Sequence, residues 1–281
     1  MRVRAGHELV VTTDLLIEGR HFRRGADPRA LGHKALAVNL SDLAAGGATP
    51  RWFTLALALP SANPRWLKDF SKGLFALARR YDIDLIGGDT TRGPLAIDIT
   101  ALGEAPAGQA HSRSGARPGH DLWVSGELGG AALALRRPAV PAVVQAVSDR
   151  LRRPQPRVAL GQALRGIASA CIDVSDGLAG DLGHILERSK VGAQVDYARI
   201  PRPNVFEKFK NLERQCVLSG GDDYELLFTA PAAARRKIES LSKKLRIRLS
   251  RIGSITPGRK LIVLDERHEA IKLRGGFDHF A

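Results

Sequence analysis

LIGGDTTRGP (Leu85–Pro94) sets an apolar run against two glycines, then an aspartate, two threonines, an arginine and a third glycine. The apolar residues read as a strand, and the glycines as a tight turn where backbone can approach another group closely. A carboxylate, two hydroxyls and a guanidinium then stand at the mouth of that strand. A polar turn would explain one such instance, but the pattern of an apolar run closed by hydroxyl or glycine and aspartate recurs. It is present in VVTTD (Thr12, Thr13, Asp14), VNLSD (Ser41, Asp42), LIGGDTT (Gly88, Asp89), CIDVSDG (Asp173, Ser175, Asp176) and LSGGDDYE (Asp222, Asp223).

Outward from this stretch the first half alternates strands and helices. HELVVTTD reads as a strand ending at Asp14. Asp27-Pro28 and Asn63-Pro64 are helix starts, each an N-cap residue followed by proline at the first helical position. RWFTLALALP alternates as a strand, and LAIDITALGEA follows LIGGD as another. The order is β-α-β-α-β-β, a sheet covered by helices, and the fold class is α/β with sandwich-like layers. The Gly-, Pro- and Arg-rich HSRSGARPGHD marks a boundary, giving domains of residues 1–112 and 113–281. The second half is again mixed. DLWVSGELG runs into an Ala/Leu helix, the Pro-rich RRPQPR enters another, and CIDVS leads into the helix DGLAGDLGHILERSK. A basic helix near 232–245 and the strands RLSRIGSI and KLIVLD follow.

At 281 residues, two domains agree with a rough 150-residue prior. No apolar run approaches the roughly 18 residues of a membrane span, and the start lacks the apolar stretch of a signal peptide. Cys171 and Cys216 sit in apolar contexts and form no metal-binding spacing, which fits small buried residues in a reducing cytoplasm. The net charge of +14 would draw polyanions, but the basic residues are scattered and no nucleic-acid-reading module accompanies them.

Taken singly, Asp176 reads equally as a helix cap and Ser41-Asp42 as polar positions inside a helix. Jointly, several aspartates with neighbouring hydroxyls form an oxygen-only donor set, which suits Mg²⁺ better than zinc or iron. Mg²⁺ commonly binds through one or two carboxylates plus phosphate oxygens, so the set points to a polyphosphate substrate with Lys34, Arg92 and Arg113 as nearby cations. No P-loop or protein-kinase signature is present.

KALAVNLSDLAAGGA, LIGGDTTRGP, RSGARPG, CIDVSDGLAGDLGHI, SGGDDYEL and the terminal GGFDHF, in this order, closely resemble the thiamine-monophosphate kinase family, from Thr12 to Phe280. That family belongs to the superfamily of aminoimidazole ribonucleotide synthetase. The resemblance implies a homodimer whose N-terminal sheets form a shared barrel, with a C-terminal mixed α/β domain on each chain. It implies ATP as co-substrate, several Mg²⁺ ions, and direct transfer of the γ-phosphoryl group to thiamine phosphate with no covalent enzyme intermediate. By motif it assigns Thr12, Thr13, Asp14, Asp42, Asp89, Asp173 and Asp176 to metal. Gly88, Asp89, Arg113 and Ser175 go to ATP, and His21, Asp222 and Phe277 to the substrate. Asp222 stands where relatives more often have Glu. Thr90, Thr91 and Arg92 are expected to shape the turn around Asp89.

The family also carries a G-x-G-D-D-A segment ahead of the first strand, and this chain opens at MRVRAGHELVV. The expectation is one fewer anionic ligand and weaker Mg²⁺ binding. The alternatives are another ATP-dependent enzyme of the superfamily, a synthetase or a selenophosphate-forming enzyme, and a non-catalytic polyanion-binding protein.

Overall fold

The computed structural model describes residues 2–272. The chain divides into two compact units: one runs to Ala110 and takes in Arg152–Val158, the other comprises 111–151 and the chain from Ala159.

The first unit follows the expected order: β1 (His7–Ile17), α1 (Pro28–Ala45), β2 (Thr49–Leu59), α2 (Pro64–Tyr81), β3 (Asp84–Arg92) and β4 (Ala96–Pro106). Both helix starts are as read. Asp27 accepts from the backbone N–H groups of Arg29 and Ala30, and Asn63 from those of Arg65 and Trp66. Helix α1 is apolar on nearly every side and lies inside, with Leu36, Leu40 and Leu43 fully buried. Glycines let α1 and α2 touch backbone to backbone, for a Cβ on Gly73 would stand 1.8 Å from the Arg29 carbonyl oxygen. The four strands are ordered β1-β4-β2-β3, with β1 and β3 at the edges and only the β2–β3 pair parallel.

One face of this sheet packs on α1 through Leu16, Phe53, Leu57, Ile97 and Ile99, each removed from water and contributing about 1.5–3 kcal/mol. Within the described chain the opposite face is open: Leu9, Leu15 and Ile17 are exposed, and Val11 is 55% exposed. In the Arg152–Val158 segment, the His33 Nε2–H donates to the Pro154 carbonyl (2.9 Å) and the Tyr81 hydroxyl to that of Pro156 (3.0 Å). A boundary at residue 112 leaves this return segment on the other side.

In the second unit a six-stranded sheet is ordered β10-β7-β9-β5-β8-β6. Its strands are β5 (Asp121–Ser125), β6 (Ala170–Asp173), β7 (Gly192–Asp196), β8 (Leu226–Ala230), β9 (Leu249–Thr256) and β10 (Leu261–Leu264). The helices are α3 (Gly130–Arg136), α4 (Pro141–Arg152), α5 (Val158–Ala163), α6 (Leu178–Ser189), α7 (Lys210–Ser219) and α8 (Arg235–Leu245). The sheet and α6 share a core of Leu122, Val124, Ile172, Leu182, Ile185 and Leu227. Helix α4 has no counterpart among the expected elements, because only Val143, Val147 and Ser148 of its twelve residues are buried.

Three local expectations are corrected. Gly87 and Gly88 make no turn: β3 runs through them to Arg92, so Thr90, Thr91 and Arg92 are strand residues. The glycines instead allow β3 to lie close against β2. Gly88 has φ +148°, and a Cβ there would stand 1.9 Å from the Leu55 carbonyl oxygen. VNLSD lies within α1, in keeping with the reading of Ser41-Asp42 as positions inside a helix, whereas LSGGDD runs out of the helix α7 rather than a strand. Asp14 stands in mid-strand, so of the five recurring carboxylate sites only CIDVSD closes a strand.

Candidate active site

In the first unit the two-residue period of β1 divides the Thr12-Thr13-Asp14 triplet between the faces of the sheet. Thr12 lies on the α1 side, where its hydroxyl donates to Asp42 Oδ2 at 2.5 Å. Asp14, two residues on, shares that face. Thr13 lies on the open face, with its hydroxyl 3.3 Å from Asp98 Oδ1 and 3.1 Å from Thr100 Oγ1. The structure thus pairs Thr12 with Asp42 and separates Thr13 from both. Asp98, unremarked in the sequence, is the carboxylate beside Thr13.

Asp89 is exposed on β3, opposite Ala56 of β2 and, one strand further, Asp98 of β4. Because β1 and β3 are the two edges, Asp14 and Asp89 are three strand spacings apart, about 14 Å along the sheet. Two carboxylates on one Mg²⁺ at ~2.1 Å metal–oxygen distances cannot span that gap within one chain. Lys34 is buried in α1, 5% exposed, and is no surface cation. His21 sits in the turn after β1; its Nδ1 accepts the Ile17 N–H at 2.9 Å, which leaves the proton of the neutral ring on Nε2.

In the second unit Asp173 ends β6, 3% exposed, and Ser175 and Asp176 follow in the loop before α6, both partly exposed. Asp181, in the first turn of α6, folds back over this loop. Its Oδ2 accepts the backbone N–H groups of Ser175, Asp176 and Gly177, each at 3.1 Å. Burial pushes its carboxyl up to about 7 and the nearby Asp176 charge adds to this, while the three N–H bonds pull the other way.

The SGGDDYE segment lies alongside. Asp222 N–H donates to the Ser175 carbonyl (2.9 Å) and Tyr224 N–H to that of Val174 (2.8 Å). Asp222 and Tyr224 both have positive φ, 70° and 51°, and the Tyr224 hydroxyl donates to Asp222 Oδ1 at 3.2 Å. Asp223 is turned to a different task, accepting the Gly129 N–H at 2.6 Å at the start of α3. Buried Glu225 accepts the Ser125 hydroxyl. Arg113 is exposed on a loop whose backbone carbonyl accepts from Ser189 Oγ, 3.3 Å, at the end of α6. Phe277 lies outside the described residues.

Among the described residues no three His, Cys, Asp or Glu side chains stand close enough to hold one ion. The donors are nonetheless hard oxygens: the Thr12–Asp42 pair with Asp14 in one unit, and Asp173, Ser175 and Asp176 in the other. Such sets fit a magnesium ion completed by water and phosphate oxygens, and they do not fit an all-protein cage.

Sequence comparison places this arrangement. Residues 1–105 match the family described as AIR synthase related protein, N-terminal domain, and residues 117–266 the corresponding C-terminal domain. The thiamine-monophosphate kinase of Escherichia coli (strain K12) is 43% identical, over 97% of this chain and 87% of that protein. The chain belongs to the thiamine-monophosphate kinase family. The crystal structure of the thiamine-monophosphate kinase from Stenotrophomonas maltophilia K279a superposes with a TM-score of 0.91 at 46% identity, over 96% of this chain and 89% of that one. AaThiL complexed with AMPPCP and TMP superposes with a TM-score of 0.84 at 29% identity, over 99% and 89%. The resemblance read from the motifs, and the α/β fold it implied, are borne out.

Asp98, Asp181 and Glu225 escaped the sequence reading, whereas Asp223 was named with Asp222 but not as an acceptor at the start of α3. For Asp181 a signal was present: an aspartate five residues beyond Asp176, in the first turn of the helix that Asp176 precedes, is placed to fold back on exposed N–H groups.

Proposed function

We propose that this chain transfers the γ-phosphoryl group of ATP to the phosphate of thiamine phosphate, giving thiamine diphosphate and ADP, with Mg²⁺ and as a homodimer. The observation that carries the reading is near full-length similarity to a solved relative that binds AMPPCP, a methylene analogue of ATP, together with TMP. An oxygen of the acceptor phosphate attacks the γ-phosphorus as the bond to the ADP bridging oxygen breaks. That acceptor is already anionic at neutral pH, so no strong general base is needed, and catalysis rests on positioning and charge neutralisation. Bound Mg²⁺ offsets repulsion between the two polyanions. Asp42, oriented by the Thr12 hydroxyl, with Asp14 and Asp89, would hold metal from the first unit, and Asp173 and Asp176 from the second. Thr13, on the open face of the sheet, falls outside the Thr12–Asp42–Asp14 group, and Asp89, on that same open face, would serve a separate metal position. Arg113 and Ser175 would contact ATP, and His21, through Nε2–H, and Asp222 the thiamine phosphate.

The open sheet face, with Leu9, Val11, Leu15 and Ile17 exposed, supports the dimer: a second copy covering it buries this apolar row. The separation of Asp14 from Asp89 supports more than one metal position. Both cysteines are buried thiols, and no described helix is long and apolar enough to cross a membrane; each fits a cytoplasmic enzyme. Buried Cys171 and Cys216 also speak against a selenophosphate-forming enzyme that uses a reactive cysteine. The test is incubation with ATP and thiamine phosphate, with and without Mg²⁺, scored by thiochrome fluorescence after chromatography. Thiamine diphosphate is expected only with Mg²⁺, and its absence under both conditions overturns the reading.

A further inference from the structure

The loop between β6 and α6 carries Ser175 and Asp176, and its geometry depends on a residue that touches neither of their side chains. Helix α6 begins with Gly177 at φ 109°, and no side chain of the cap residue accepts the first N–H groups. A helix start leaves such donors unsatisfied unless another acceptor is supplied. Asp181, four residues past the cap, instead reaches back over it to the amides of the loop that precedes the helix. One oxygen, Oδ2, collects three consecutive amides, those of Ser175, Asp176 and Gly177, while the Asp181 N–H holds the Gly177 carbonyl at 3.0 Å. The side chain is 2% exposed, so water offers these amides no equal substitute.

The loop is held as firmly from its other side. The Val174 and Ser175 carbonyls accept from Tyr224 and Asp222, and the Val174 N–H donates to Glu225. A Cβ on Gly221 would stand 2.1 Å from the Ser175 carbonyl oxygen, so the two segments have no room to slide. Amides are thus fixed by Asp181 and carbonyls by residues 222–225. Three amides converging on one carboxylate oxygen set the curvature of the chain at the two residues assigned to nucleotide and metal. We propose that Asp181 is a positioning residue that sets Ser175 and Asp176 for the phosphate end of ATP, an inference that rests on the kinase reading above.

Asp181→Ala removes the acceptor. Asp181→Asn keeps a carbonyl oxygen but loses the charge that roughly doubles the strength of such hydrogen bonds. Three readouts separate positioning from plain stability: the Kd for Mg·AMPPCP by calorimetry, the KM values for ATP and thiamine phosphate, and amide hydrogen exchange at residues 175–177. In a folded Ala variant, exchange at the three amides speeds up and the Kd and KM for ATP rise about tenfold or more, with a smaller change for thiamine phosphate. The Asn variant falls between wild type and Ala in all three, and carries the test by itself if the Ala variant does not fold. If the wild type is active and the folded variants match its Kd, kcat/KM and amide exchange, with at most a lower melting temperature, the inference is overturned. If the wild type neither binds Mg·AMPPCP nor forms thiamine diphosphate, the kinase reading fails and this inference falls with it.

Discussion

Gly88→Ala and Gly87→Ala, made side by side, examine why two glycines stand before Asp89. At Gly88 an added Cβ meets the Leu55 carbonyl oxygen at 1.9 Å, its carbon at 2.7 Å and the Leu55 nitrogen at 2.9 Å, all backbone atoms of β2. The φ of +148° is also one that an alanine adopts only under strain, about 1–3 kcal/mol. Overlap with backbone is relieved only by moving β3 away from β2, which loosens ladder hydrogen bonds worth about 1 kcal/mol each. We expect a total cost of about 2–4 kcal/mol, or a drop in Tm of roughly 6–24 °C for a unit of this size. At Gly87 the nearest atom is Thr54 Cγ2 at 4.0 Å and φ is not positive, so Ala should leave Tm unchanged or slightly raised. Thermal melting followed by circular dichroism reads both. Turnover should follow stability, since displacing β3 carries Asp89 with it: kcat/KM falls in the Gly88 variant and holds in the Gly87 variant. If the two variants melt and turn over alike, the close approach of β3 to β2 is not what the glycines provide.

Asp89→Asn leaves β3 paired and removes one charge, so the fold should persist while kcat drops by about 10²–10³, as for loss of one preorganised electrostatic stabiliser; near-normal turnover in a folded variant refutes the role. Asp121 is buried. Burial alone would push its carboxyl up, but the two-pronged bond from Arg235 (2.6 and 2.7 Å) and the nearby Arg251 hold it below the usual carboxylate range. A depressed folded pKa gives stability that is present above the unfolded value near 4 and lost as pH falls through the folded one. Urea denaturation between pH 6 and pH 2 should show that loss, and Asp121→Asn should flatten it; an unchanged acid limb contradicts the assignment. Burial pushes the Cys216 thiol up to about 11 and raises Cys171 as well, so a thiol reagent at pH 7 should label neither in the folded protein and both in urea. Rapid labelling without denaturant would be the contrary result.

The first unit was legible in its order because its signals are local. Asp27-Pro28 and Asn63-Pro64 fix two helix starts, and alternation fixes β1, β2 and β4. The Thr12/Thr13 division was also available, since a period of two sends neighbours to opposite faces, yet grouping by motif obscured it. Other features depend on tertiary contact. Gly87-Gly88 resembles a turn in sequence, and only the approach of β2 makes it strand. VNLS and CVLS are short apolar runs that suit either helix or strand, and burial inside the first unit or packing against α3 and α6 decides them. The clamp by Asp181 is intermediate: its spacing was visible, but the convergence of three amides on one oxygen requires the folded loop. The 14 Å between Asp14 and Asp89 follows from strand order, which no local pattern encodes.

The central claim is direct transfer between ATP and thiamine phosphate, and label transfer tests it most closely. The chain is incubated with γ-³²P-labelled ATP, thiamine phosphate and Mg²⁺, the products are separated, and the labelled species is identified. The account predicts label in the terminal phosphate of thiamine diphosphate, one ADP formed per label transferred, and no labelled protein. Label released only as inorganic phosphate, or retained on the enzyme, would contradict it.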